Sequence, residues 1–178
     1  MAIDEKLLKR EEAAVYSLRS LYRRFGYTQF KMSKFEEYDL YVRNKDFLVS
    51  DGIITFTDTN GRLKALKPDV TLSIINNSKD SDGVHKLYYN ENVYRISGST
   101  HTYKEIMQTG LECIGNIGLF EVCEVLSLAV KSLETIDSNS LLEMSHVGLI
   151  EAAFDELNLS KELRTKVIAF INSKNTDD

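Results

Sequence analysis

Apolar residues return every three to four positions across residues 4–25, where Leu7, Leu8, Ala14, Val15, Leu18, Leu21, Tyr22 and Phe25 mark one side of a helix. Gly26 follows, and a glycine there predicts a helix end closed by a left-handed residue. An extended segment comes next, with Tyr27, Phe30 and Met32 as its apolar positions. Residues 35–42 fit either a short helix or irregular chain. Residues 53–57 read as a strand, the Asp-Thr-Asn-Gly cluster at 58–61 as a tight turn, and 63–66 as the returning strand. Pro68 and Asp69 open a helix that runs through Ile75, since proline suits a first helical turn and an acid there complements the helix dipole. After a loop at 79–83, the stretch 85–115 reads as two strands joined by a polar loop. The first ends in Tyr94-Arg95, and the second carries Gln108, Gly110 and Glu112. A strongly apolar helix is predicted over 120–136, then a strand at 141–145, a helix at 147–157 and a last helix at 161–171 capped by Ser160. The polar tail 172–178 is expected to fray.

Helices set among hairpins, without regular strand–helix–strand alternation, predict a mainly antiparallel sheet flanked by helices, the α+β class. A length of 178 residues fits one domain spanning 1–178. The net charge of −5 and the absence of any basic run longer than Lys9-Arg10 or Arg23-Arg24 argue against nonspecific nucleic-acid binding. No apolar run approaches the roughly 20 residues of a membrane span, and the charged start MAIDEKLLKREE does not read as a signal peptide. A cytoplasmic location without membrane attachment is the expectation. Cys113 and Cys123 lack metal-ligand spacing and read as buried thiols, so no metal and no cofactor are expected. His85 and His101 read as solvated loop residues, and His146 as a helix cap.

The chemistry concentrates in the 85–115 hairpin. An arginine at a strand end followed by a Ser/Thr/Gly/His loop can hold a phosphate or carboxylate through two hydrogen bonds. Glu112 supplies a negative charge suited to an amine, since a carboxylate on an inner strand face needs a cation or a ligand to offset its burial. Arg95, Gln108 and Glu112 together suit a zwitterion or a nucleotide rather than an apolar ligand.

Three blocks resemble the catalytic core of class II aminoacyl-tRNA synthetases, in the histidyl branch, and they cover most of the chain. The predicted first helix with FGYTQFKMSKFE resembles that family's dimer-forming motif 1, with Ser33 where a proline is usual. Leu66-Lys-Pro-Asp-Val-Thr71 is similar to the segment whose acid and threonine contact the amino group of bound histidine, with Lys67 in place of arginine. VYRISGSTHTYKEIMQTGLECIG resembles motif 2 and the strand after it. The resemblance implies that Arg95 faces the carboxylate or α-phosphate and that Asp69, Thr71, Gln108 and Glu112 recognise histidine. The γ-phosphate arginine of motif 3 has no counterpart in these residues, so the resemblance implies no catalytic residue and a core that is incomplete. The family includes histidyl-tRNA synthetases and a noncatalytic relative, the regulatory subunit of ATP phosphoribosyltransferase. Asp69 in place of glutamate, the altered motif 2 loop and LLEMSHVGLI at 141–150 favour the regulator. The implied partners are the catalytic phosphoribosyltransferase subunit, histidine as effector, and a second copy of the chain through motif 1. The alternatives are the N-terminal part of a synthetase core that binds ATP and histidine, and an interaction module that has lost its ligand.

Overall fold

The computed structural model describes residues 7–44, 52–78, 83–98 and 100–173, and the chain divides into two compact units, Met1–Ser140 and Leu141–Asp178. The first unit holds helix α1 (Arg10–Arg24), strands β1 (Thr28–Gln29) and β2 (Phe35–Glu37), helix α2 (Tyr38–Val42), strands β3 (Thr55–Thr57) and β4 (Leu63–Leu66), helix α3 (Val70–Asn77), strands β5 (Val84–Ile96) and β6 (Tyr103–Gly115), and helix α4 (Leu119–Ile136). The class is α+β, with mainly antiparallel pairing and one short parallel contact between β1 and β5.

β5 and β6 form a long antiparallel hairpin in unbroken register from Val84↔Gly115 to Ile96↔Tyr103. Successive side chains on each strand face opposite sides of the sheet. Tyr88 joins Leu18, Leu21, Tyr22, Tyr27 and Leu128 in a core beneath α1 and α4. The odd-numbered neighbours Leu87, Tyr89 and Val93 point the other way and pack with Val70 and Ile74 of α3. A second sheet, ordered β2-β4-β3, lies against a third apolar cluster of Tyr41, Ala65 and Leu72. The hairpin therefore separates two cores, and the α3 side carries every site residue predicted on it.

Local chemistry explains the element ends. The α1 helix starts at Arg10, later than the predicted residue 4; residues 4–6 lie outside the described residues, and Glu12 folds back to accept the Lys9 backbone N–H at 2.8 Å. Gly26 takes φ +84° just beyond the helix, the left-handed conformation expected of it. At the β3–β4 turn, the Asp58 carboxylate accepts the N–H groups of Asn60 and Arg62. Residues 35–42 divide between a short strand and a short helix, because Phe35–Glu37 find a long-range partner in β4. Pro68 lies one place before the N-cap rather than within the first turn, and Asp69 is the N-cap of α3.

In the second unit, helices α5 (Val147–Glu156) and α6 (Lys161–Ser173) match the predicted pair. His146 caps α5 by accepting the Leu149 N–H at 3.1 Å, and Ser160 does the same for Leu163 at 3.4 Å. The strand expected at 141–145 is absent: residues 141–146 form no ladder, and Leu141 and Met144 are 79% and 67% exposed. A short apolar run becomes a strand only beside a neighbour with free backbone groups, and none pairs with it among the described residues. No helix among the described residues is long and apolar enough to cross a membrane.

Candidate functional site

The segment 67–71 crosses the face of the β5–β6 hairpin that carries Tyr89, Glu91 and Arg95, and Lys67, Pro68 and Thr71 bond to the hairpin in turn. Backbone bonds fix it first: the Lys67 N–H donates to the Lys34 carbonyl, and the Tyr94 N–H donates to the Lys67 carbonyl. Lys67 then drives its side chain fully out of solvent, where the ammonium pairs with Glu91 at 3.0 Å. Arg95 donates its Nε–H to the Pro68 carbonyl at 3.0 Å. The Asp69 carboxylate accepts the Leu72 N–H at 3.0 Å, satisfying one of the free donors at the start of α3. Thr71 donates its hydroxyl to Glu112 at 2.6 Å.

Register explains why these groups share one face. Glu112 lies opposite Leu87, Gly110 opposite Tyr89, Gln108 opposite Glu91 and Lys104 opposite Arg95. Cross-strand partners project to the same side, so Arg95, Gln108 and Glu112 line one surface. Arg95 is eight residues along β5 from Leu87, the partner of Glu112, so the sheet alone would keep the two apart. The crossing segment joins them, with Arg95 held at Pro68 and Glu112 held at Thr71.

The charges of this cluster are unequal. Burial raises the Glu112 carboxyl above its ordinary range; the Thr71 hydrogen bond opposes that rise, and the nearby Asp69 charge adds to it. Burial also pushes the Tyr89 phenol up to about 12, with the Glu112 and Asp69 charges acting in the same direction. Tyr89 is therefore a neutral hydrogen-bond donor at physiological pH. Two acids and a phenol together suit a ligand that carries a cationic amine, a further N–H group and a hydrogen-bond acceptor.

Each predicted residue has a clear place. Asp69, Thr71 and Glu112 come together, and Arg95 is anchored at the other end of the same segment. Gln108 lies on the same face, half-buried, two residues before Gly110. The simplest structural alternative for Arg95, an ion pair with Glu91 or Glu105, does not form: Glu91 holds Lys67, and Glu105 accepts from Asn92 and Tyr94. Sequence reasoning missed Lys67, Glu91 and Tyr89 as members of the cluster. For Glu91 and Tyr89 the signal was their shared parity with Val93 and Arg95 along β5; Lys67 lies outside the strand and is joined to it by its ion pair with Glu91. Elsewhere, a 330 Å³ cavity is lined by Tyr16, Arg19, Ser20, Arg23 and Arg24 of α1, none of which belongs to the cluster. Cys113 is half-buried, whereas Cys123 is exposed on α4 rather than buried as predicted. The described residues contain no group of His, Cys, Asp or Glu arranged to hold a metal.

Comparison with known proteins gives the chain a family. The sequence model of the family described as Histidyl-tRNA synthetase matches residues 3–178. A histidine–tRNA ligase of Methanococcus vannielii is 25% identical over 175 residues, which cover 96% of this chain and 42% of that protein. An ATP phosphoribosyltransferase regulatory subunit of Clostridium kluyveri is 32% identical over 164 residues, covering 89% of this chain and 42% of the relative. Among solved structures, the ATP phosphoribosyl transferase (HisG:HisZ) complex from Thermotoga maritima contains a similar chain with a TM-score of 0.66 and 26% identity, covering 91% of this chain and 55% of that one. The chain thus spans about two fifths of the length of these curated relatives.

Proposed function

Because the chain belongs to the histidyl-tRNA synthetase family, we propose that it binds histidine on the α3 side of the hairpin and acts as a noncatalytic regulatory subunit of ATP phosphoribosyltransferase. The observation that carries the binding reading is the Thr71–Glu112 hydrogen bond with Asp69 beside it. Asp69 and Thr71 would take the α-amino group, Gln108 and Glu112 the rest of the amino acid, and Arg95 lies at the carboxylate side. The similarity to the Clostridium kluyveri regulatory subunit supports the regulatory half of this reading. Histidine would act by favouring one arrangement of the assembly, and its influence is limited to its difference in affinity between two states. The partners in this reading are the catalytic phosphoribosyltransferase chain and a second copy of the protein, met through the α1 region.

Similarity to the Methanococcus vannielii ligase favours a second reading, in which the chain is the N-terminal part of a synthetase core that binds ATP together with histidine. Calorimetry separates the two. Binding of histidine without nucleotide, with copurification of a phosphoribosyltransferase catalytic chain, supports the regulator. ATP binding that depends on histidine, with no such copurification, supports the synthetase core. Failure to bind either ligand removes the histidine site from both readings.

A further inference from the structure

Gly110 is the gap through which Tyr89 reaches the site. The two residues are cross-strand partners, and a Cβ placed on Gly110 would lie 2.5 Å from the Tyr89 hydroxyl oxygen and 2.7 Å from its Cζ. No side chain fits there, so the phenol lies across β6 at this position. Gln108 and Glu112 flank Gly110 on the same face of the strand, one on each side. The Tyr89 hydroxyl therefore stands between two of the residues assigned to the ligand, while its ring packs with Val70, Ile74 and Val93. Simple sheet packing accounts for the ring. A ring over its cross-strand glycine is part of that packing; what points to a ligand is the hydroxyl at its end, set between Gln108 and Glu112.

We propose that Tyr89 determines specificity at this site by donating its hydroxyl hydrogen to an acceptor nitrogen on the ligand's side chain. The proposal rests on the histidine-binding reading. A neutral imidazole has one N–H donor and one acceptor nitrogen. Glu112 accepts and Tyr89 donates, so the two adjacent groups complement both ends of that ring. A ring of the same size without nitrogen would leave both protein groups unpaired, and an unpaired buried polar group is where discrimination is strongest. Gly110 is then a specificity position in its own right, because any side chain there displaces the phenol.

The test is titration calorimetry of the 178-residue chain and its Tyr89→Phe variant with histidine and with β-(2-thienyl)alanine, whose five-membered ring cannot hydrogen bond in this way. Tyr89→Phe keeps the ring and is expected to keep the unfolding midpoint. Histidine affinity is expected to fall about 2- to 12-fold, the range for one lost hydrogen bond, while thienylalanine affinity stays level and the preference between them narrows by the same factor. Equal weakening of both ligands would make Tyr89 a packing residue only and overturn the proposal. Unchanged histidine affinity in Tyr89→Phe, with Glu112→Gln weakened, would overturn it too while leaving the histidine site intact. Absence of histidine binding by the unaltered chain would remove the site and the proposal together. Without any substitution, saturating histidine is expected to shift the ring resonances of Tyr89 in a tyrosine-labelled sample; resonances that do not move would refute the contact even if the variant failed to fold.

Discussion

Glu112 pits stability against binding. Burial disfavours its ionised form more than the Thr71 hydrogen bond favours it, so its native pKa lies above the unfolded value. The native state consequently holds more protons than the unfolded chain between those two values, and the contribution of this residue falls as pH rises through that window. Glu112→Gln keeps an acceptor for the Thr71 hydroxyl and cannot ionise. Denaturant unfolding from pH 4 upward is therefore expected to show a shallower decline for the variant, which ends at least as stable as the parent at neutral pH. Its histidine affinity is expected to fall at least tenfold. A variant both less stable at neutral pH and normal in binding would make Glu112 an ordinary core residue. Lys67 presents the opposite case. Its ammonium has no solvent exposure, and its pairing with Glu91 is part-buried. Lys67→Met strands a carboxylate and is expected to cost about 3–5 kcal/mol in chemical denaturation, whereas Lys67→Met with Glu91→Leu removes both charges and recovers most of that loss. A double variant as unstable as the single one would show that the pair matters through something other than charge.

At the scale of elements, α3 depends on Asp69 twice. The carboxylate caps the helix, and its charge lies near Glu112 and Tyr89. Asparagine caps as well as aspartate but carries no charge. Asp69→Ala is expected to lower stability by about 1 kcal/mol, while Asp69→Asn holds stability and loses ammonium binding. Thermal unfolding of both variants beside histidine titration separates capping from recognition. The elements that were legible in the sequence are those whose causes are local. The β5–β6 hairpin showed its two strands and polar loop, Gly26 its helix end, and Asp58 its turn. The elements that were not legible depend on distant partners. Phe35–Glu37 become a strand only by pairing with β4, and residues 141–145 fail to become one for want of a partner. The site follows the same rule. Arg95 and Glu112 stood out by residue type, but Thr71 bonds to a residue 41 positions away and was reached through family resemblance. Tyr89 was not legible as a site residue at all, because parity assigns a face but cannot show the opening at Gly110.

For the whole molecule, what matters is how a small ligand would be felt through the fold. Every predicted ligand group lies between residues 69 and 112, within the first compact unit, and they come from only three elements: the start of α3, β5 and β6. A ligand that joins α3 to the hairpin stabilises what those elements hold together, since it binds the native arrangement and not the unfolded chain. At a histidine concentration 100 times its Kd, the gain is about 2.7 kcal/mol, equivalent to a rise in unfolding midpoint of about 5–10 °C for a unit of this size. Amide exchange with histidine bound is expected to slow across Val70–Asn77 and along the Val84–Ile96 and Tyr103–Gly115 strands. A thermal shift without added protection in those three segments would place the ligand elsewhere in the molecule. Protection on β5 and β6 without α3 would be equally informative. It would mean that the hairpin carries the affinity alone and that the crossing at 67–71, which joins Arg95 to Glu112, serves the fold rather than the ligand.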